Sequence, residues 1–270
     1  IMGFSHTHLS GTGIGDMLDA LVVPTRGPLQ LDPGTLDDPD KGYRQRFSEE
    51  HAEPGYYRVR LESGVLAELT VTERTGLHRY HFPDGAGHIL VDFAHMIRDV
   101  WDKGVVLDNA SLAIDANGML TGSRRVHRWA KGRWIHFAMQ LSRKPDRIAF
   151  FGDDNQPAPA GARSVTGNRV KVALFFDDAG ATPIQIKTGI SAVDPAGARA
   201  ALAAEAPGWD FDAARKAAAR VWDRHLGCIK VAGGTEAQRT ILATALYHCF
   251  LAVGYPQRLR RCSLRWFPRH

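Results

Sequence analysis

Apolar and polar residues alternate over much of the chain between residues 55 and 190. Tyr57, Val59 and Leu61 alternate with Arg58 and Arg60, the pattern of a strand with one buried face. Similar runs follow at 66–72, 78–82, 89–93, 105–114, 119–129, 134–141, 147–151, 169–176 and 183–190. Ile135, Phe137, Met139 and Leu141 share one face, and Val170, Val172, Leu174 and Phe176 share another. Turn-forming sequence separates the runs at Glu62-Ser63-Gly64, Pro83-Asp84-Gly85, Asn117-Gly118 and Asp178-Ala179-Gly180. No helical pattern divides these strands, which predicts antiparallel hairpins and a sandwich rather than βαβ units.

The flanks read differently. Residues 1–50 are rich in Gly and Pro and predict loops, with one short helix at Asp16–Leu21. After Ile190 the period changes. Asp194-Pro195 predicts a helix N-cap followed by Pro at the first helical position. Asp210 predicts a second helix through Leu226, stopped by Gly227. Thr235 and Gln238 form a capping box for a third, whose apolar stripe is Ile241, Leu242, Ala245, Leu246 and Cys249. Such stripes have few partners in this chain, so a further domain is expected to cover them.

Composition agrees with a folded chain. Of 270 residues, 44% are hydrophobic and 23% charged, which argues against disorder. No run of 18 apolar residues could cross a membrane. The net charge of +5 would raise the question of nucleic acid. However, Arg258, Arg260, Arg261, Arg265 and Arg269 lie in the last 18 residues with no acid among them. The remaining body is neutral and gives little steering toward phosphates. Cys228, Cys249 and Cys262 are too few for a disulfide framework and lack zinc spacing. The chain opens on Ile1-Met2-Gly3-Phe4, inside a loop motif, so an interior start is expected.

The most distinctive segment is Gly3-Phe4-Ser5-His6-Thr7-His8-Leu9-Ser10-Gly11-Thr12-Gly13. His6 and His8 point the same way if the segment is extended. His-x-His suits a metal site, and equally suits two imidazoles that bond locally and shape a loop. The Gly11–Gly15 run lacks the spacing and context of a phosphate cradle and is read as loop. Candidate acids for glycoside chemistry are Glu49, Glu50, Glu53, Glu68, Glu73, Asp92, Asp99 and Asp102, and no pair stands out. Trp101, Trp129 and Trp134 could stack on sugars or pack a core or interface. Asn155–Pro159 reads as a surface loop.

The Gly3–Gly13 segment resembles a signature of glycoside hydrolase family 92, the calcium-dependent exo-acting α-mannosidases. Further stretches agree in order: Phe47-Ser48-Glu49-Glu50-His51-Ala52-Glu53-Pro54-Gly55-Tyr56-Tyr57, Ala67 to Arg74, and His78 to Pro83. Later come Pro207-Gly208-Trp209-Asp210-Phe211, Gly233 to Arg239, and Thr244 to His248. The likeness spans residues 2–252. It implies a mainly β fold: an antiparallel β-supersandwich of the galactose-mutarotase type, then helices that begin an (α/α)6 barrel. The implied domains are a sandwich at 1–192 lacking its first strands, a helical linker and first barrel helix at 193–252, and a non-family tail at 253–270.

The resemblance implies that Phe4, Ser5, His6 and His8 contribute to a sugar-binding cleft, with Phe4 packing on a sugar. It implies a terminal-mannose glycan as substrate, of α-1,2 type, inversion at the sugar, and secretion or a periplasmic home. The catalytic carboxylates and most calcium ligands belong to the barrel, so no catalytic or metal residue is assigned to this chain. The fragment is therefore expected to be inactive alone. Beyond residue 252 the family continues with a Pro-Asn-Val-Phe-like run. A one-base shift in one synonymous coding of Pro256–Cys262 restores it, so a frameshifted tail is expected. Two other readings stay open: a non-catalytic carbohydrate-binding module, and a metal-dependent amidohydrolase built on His6 and His8, which needs a βα-barrel.

Overall fold

The computed structural model describes residues 1–9, 16–35, 38, 41–96, 106–128 and 130–251. The first strands are β1 (Leu21–Thr25), β2 (Phe47–Glu53), β3 (Tyr56–Leu61), β4 (Leu66–Val71) and β5 (Thr75–His81). Then come β6 (Gly87–Asp92), β7 (Val106–Ile114), β8 (Leu120–His127) and β9 (Arg133–Leu141). The last are β10 (Arg147–Phe151), β11 (Ser164–Gly167), β12 (Lys171–Phe176) and β13 (Ile184–Ser191). Helices α1 (Pro195–Glu205), α2 (Phe211–Leu226) and α3 (Glu236–Leu251) follow as a block.

The strands form two sheets, one of four in the order β1-β6-β12-β10 and one of nine in the order β11-β7-β8-β9-β13-β5-β4-β3-β2. Neighbours pair antiparallel, for example Val91 opposite Val22 and Ile186 opposite His78. The inner faces pack against each other. Val22, Ile89 and Val172 of the small sheet meet the core built by Val59, Tyr80, Phe137 and Ile186 of the large one. The central strand β6 is buried at every position, because Tyr43, Leu29 and Leu31 cover its outer side. This is the predicted antiparallel sandwich.

The sequence pattern misses three strands, β1, β2 and β11, and each is a sheet edge. β2 is exposed throughout, so no alternation marks it. β1 is buried at four of its five positions, so it too shows no alternation. It contains Pro24, whose missing N–H is tolerated at an edge. The helix predicted at Asp16–Leu21 does not form. Met17, Leu18 and Ala20 have φ of 74°, 61° and 52°, which a right-handed helix excludes, and Leu21 already belongs to β1. Backbone pairing with residues 4–8 takes the hydrogen bonds a helix would have made.

The helix starts follow their caps. The Asp194 carboxylate accepts from the Gly197 N–H at 2.6 Å, and Asp210 accepts from Ala213 at 2.9 Å. Thr235 and Gln238 make both bonds of the capping box, at 2.9 and 3.2 Å. Helix α1 lies on the outer face of the large sheet, across β13. Its close approach needs Gly189, where a Cβ would stand 2.3 Å from the Ala198 carbonyl oxygen. Helix α2 buries Phe211 beside Tyr56 and Leu77. Arg79 lies over the Phe211 ring at 4.3 Å and donates to both Glu68 and Asp212. Helix α3 buries no side chain and meets α2 through Trp222–Tyr247 and His225–Phe250 ring contacts. Ile241 on its apolar stripe is 68% exposed. Among the described residues no helix is long and apolar enough to cross a membrane.

Glu205 adds a polar clamp to the apolar contacts that hold α1. Its carboxylate accepts from Thr72 Oγ1 at 2.6 Å, from the Arg74 N–H at 2.8 Å and from Arg74 Nε at 2.8 Å. Glu205→Ala removes all three bonds and should cost about 2 kcal/mol in urea unfolding. An unchanged midpoint would show that α1 is held by its apolar contacts alone.

Candidate functional site

The Gly3–Leu9 segment is one arm of a hairpin laid against the sandwich. Phe4 and Val22 exchange backbone bonds of 2.9 and 3.0 Å; the His6 N–H donates to Asp19 at 2.9 Å and the Leu18 N–H to Thr7 at 3.1 Å. His8 bridges Met17. An extended arm turns alternate side chains to opposite faces. Phe4, His6 and His8 therefore share one face and step from the core to the rim.

Phe4 is 7% exposed. Its ring packs among Tyr80 at 6.2 Å, His78 at 6.2 Å and Tyr57 at 6.4 Å. A ring so enclosed fills the core and offers no face to a sugar in this conformation. His6 lies one step out. Its imidazole stacks on His78 with centroids 4.8 Å apart and an interplanar angle of 9°. His6 Nδ1 is 2.8 Å from the Ala20 carbonyl oxygen. A carbonyl only accepts, so Nδ1 carries the hydrogen and Nε2 keeps its lone pair. That Nε2 is buried and has no hydrogen-bond partner among the described residues. His8 is exposed at the rim, and Ser5 is half-buried, its hydroxyl 3.4 Å from the Thr7 carbonyl oxygen. Residues 10–15, including the Gly11–Gly15 run, lie outside the described residues.

Electrostatics hold both imidazoles neutral. Burial pulls His6 down to about 4, and the Ala20 bond opposes it only partly. His78 is held well below the usual histidine value by burial and then by His6 beside it. Its Nδ1 is 2.6 Å from the Tyr80 hydroxyl, which burial keeps protonated.

The arm is pinned by Asp19, a residue the sequence pattern does not single out. Asp19 is fully buried at 0% exposure. Its carboxylate accepts from Arg124 Nε at 2.9 Å, from Arg133 NH1 at 2.9 Å and from the Thr7 hydroxyl at 2.6 Å. Burial would raise its pKa, but the Arg124 and Arg133 charges outweigh that and hold it well below the carboxylate range. Arg124, also at 0%, donates from NH1 to the Phe93 and His95 carbonyls, both at 2.7 Å. Strands β8 and β9 thus supply the cations, and the end of β6 supplies the acceptors.

Five of the candidate acids are engaged elsewhere, and Glu73 lies in the turn between β4 and β5. Glu68 accepts from Arg79, Tyr56 and His81, and these bonds overcome burial to hold it down to about 2. Asp92 accepts from Tyr43 at 2.8 Å, Glu50 from Tyr57, Glu49 from Arg60 and Glu53 from Arg215. Asp99, Asp102, Trp101 and Trp129 fall outside the described residues. Trp134 stacks on His136 at 5.7 Å with Arg125 over its ring at 5.9 Å, so both partners occupy the indole. Among the described residues no three His, Cys, Asp or Glu side chains gather as a metal site. The described residues do not make a calcium centre by themselves. The antiparallel sandwich is also not the βα-barrel the amidohydrolase reading requires, and His6 turns one nitrogen to Ala20 and buries the other.

Residues 1–191 match the glycosyl hydrolase family 92 N-terminal domain, and residues 197–259 match that family's catalytic domain. A family GH92 α-mannosidase of Bacteroides thetaiotaomicron superposes with a TM-score of 0.83 and 33% identity, over 92% of this chain and 34% of its own. The same enzyme in complex with mannoimidazole gives 0.82 and 32%, over 92% of this chain and 33% of its own. A family GH92 inverting mannosidase of that species gives 0.66 at 21% identity, over 84% of this chain and 29% of its own, a likeness of fold. An uncharacterized secreted glycosidase of Arthroderma benhamiae is 26% identical over 93% of this chain and 35% of its own. The chain thus spans about a third of the length of these relatives.

The half-buried, neutral His6 makes stability depend on pH. Its folded pKa lies below the ordinary 6.5, so the unfolded chain takes the proton first. The contribution is complete above pH 6.5 and is lost as pH falls toward 4, and His78, held low beside it, adds to the loss in the same window. Asp19 adds a separate loss that begins only near the ordinary carboxylate value of 3.8. Urea midpoints at pH 7, 5.5 and 4.5 should decline in His6's window; a flat profile would contradict the burial of this ring. Asp19→Ala leaves Arg124 buried without its counter-charge and should cost about 3–5 kcal/mol in the same assay at pH 7.

Proposed function

The chain belongs to glycosyl hydrolase family 92, and on that premise we propose that it forms one wall of the sugar cleft of an exo-acting α-mannosidase. The substrate is a glycan with terminal α-linked mannose, taken with inversion and of α-1,2 type. Support for mannose comes from the α-mannosidase relative at 33% identity and its complex with mannoimidazole. Support for inversion comes from the family member named as an inverting mannosidase. The observation that carries the reading is the pinned hairpin: Asp19 fixes an arm whose His8 stands exposed at the rim, with Ser5 half-buried on the other face.

In this arrangement Ser5 and His8 hydrogen-bond sugar hydroxyls, while Phe4 and His6 hold the arm in place. A pre-set arm binds better because little freedom is lost when the sugar arrives. Inversion needs one carboxylic acid at the leaving oxygen and one carboxylate at the attacking water, far enough apart to admit that water. Among the described residues Asp19, Glu49, Glu50, Glu53, Glu68 and Asp92 are bound to arginine, tyrosine or histidine donors and are poorly suited to either role. Catalysis, and calcium with it, is therefore assigned to catalytic-domain sequence beyond these residues. Secretion is proposed from the secreted relative.

Two measurements test this. Mannose titrated into the full chain should perturb Ser5 and His8 resonances, and His8→Ala should weaken binding about tenfold, the loss of one good hydrogen bond. Binding unaffected by His8→Ala would remove the arm from the cleft. The purified chain should not hydrolyse an aryl α-mannoside, with or without calcium; robust calcium-dependent turnover would falsify the assignment of catalysis to other sequence.

A further inference from the structure

The hairpin arm touches strand β5 where that strand has no side chain. Gly76 lies inside β5, and its backbone is not left-handed, so conformational freedom does not explain the glycine. Glycine within a strand weakens it and often marks a close approach. Here the approaching group is His6. A Cβ on Gly76 would stand 2.9 Å from His6 Cδ2 and 3.3 Å from His6 Nε2, with His78 Nε2 at 3.8 Å. The first contact is closer than real Cβ atoms show.

We infer that Gly76 and His78 are positioning residues for the sugar-binding arm, acting through the His6 ring. Three contacts fix that ring, each along a different direction. His78 lies parallel to it and stops motion along the ring normal. Gly76 admits its edge. The Ala20 carbonyl holds Nδ1 and sets rotation within the plane. With the ring fixed, the backbone at His6 is fixed, and Ser5 and His8 on either side take their reach from it. A side chain at Gly76 pushes the ring outward, and the rim residues move with it. The step from arm to sugar rests on the proposed mannose reading; the seat itself does not.

A double-mutant cycle on the full chain tests the seat without sugar. Gly76→Ala should lower the melting temperature by about 5 °C, an overpacking effect, and erase the Nδ1-protonated signature of His6 in long-range imidazole ¹⁵N spectra. In a His6→Ala background the clash is gone, so the same change should be silent or slightly stabilising. An equal melting loss in both backgrounds, or an unchanged His6 signature in Gly76→Ala, overturns the inference. Should Gly76→Ala not fold, His78 variants decide. His78→Phe keeps a flat backstop and should retain the His6 signature, whereas His78→Ala should lose it; identical spectra overturn the role of His78. Mannose affinity forms the second arm, and Gly76→Ala should weaken it about tenfold. A wild-type chain that binds no mannose defeats the functional reading, while the cycle still decides the seat.

Discussion

The arrangement of this molecule turns on one buried carboxylate. Asp19 cannot be ionised inside the protein unless cations come with it, because an unpaired buried charge costs several kcal/mol. Arg124 and Arg133 meet that requirement from β8 and β9. Once Asp19 is seated, Thr7 is held by its side chain and His6 by its backbone, so the whole arm is placed. Arg124 then ties in the end of β6 through two carbonyls. One ion cluster thus joins the hairpin, the large sheet and the small sheet. Its net worth against a well-packed apolar substitute is small or even negative. Its value lies in selectivity, since any other placement of the hairpin strands the charges.

The outer face of the large sheet uses the same chemistry under weaker conditions. Glu68, Arg79 and Asp212 join sheet to α2, and Glu53 joins β2 to Arg215. Asp212 is 60% exposed on its side chain, so water screens its attraction to Arg79. Adhesion of the helices must then come mainly from burial: Ala198, Ala201 and Leu202 for α1 and Phe211 for α2. Helix α3 has neither buried anchors nor a charge clamp to the sheet among the described residues, and its cap box alone sets its start. The ordering is physical: a buried cluster at the hairpin, apolar docking with screened pairs at α1 and α2, and end-capping at α3.

The period-two pattern made the interior strands legible because both inner faces must be apolar. It found the edge strand β10 but missed β2, which is exposed along its whole length, and β11, which has four residues. Helix starts were legible because a cap is a local bond between residues three apart. Asp16–Leu21 was misread because an acid before Met17 and Leu18 resembles a helix start, and nothing local announces three positive φ angles. The arm itself was legible as a motif with family resemblance. Its division into inward and outward residues was not, since it depends on Arg124 and Arg133, more than a hundred residues away in sequence. Gly76 was silent for the same reason: a missing side chain carries meaning only when the group filling its space is known.

The neutrality of residues 1–252 now has a structural account. Several charges in the body are spent on one another, as in Asp19 with Arg124 and Arg133, Glu68 with Arg79, Asp108 with Arg125, and Glu205 with Arg74. Groups consumed in this way create little field to steer an ion and leave recognition to uncharged polar groups at the surface. The arm follows this rule within five residues. Its shared face passes from an aromatic ring in the core, to an imidazole that burial keeps neutral, to an imidazole at the rim. The same residue type is thus made a wedge at His6 and a surface group at His8 by depth alone, and the depth is set by Asp19.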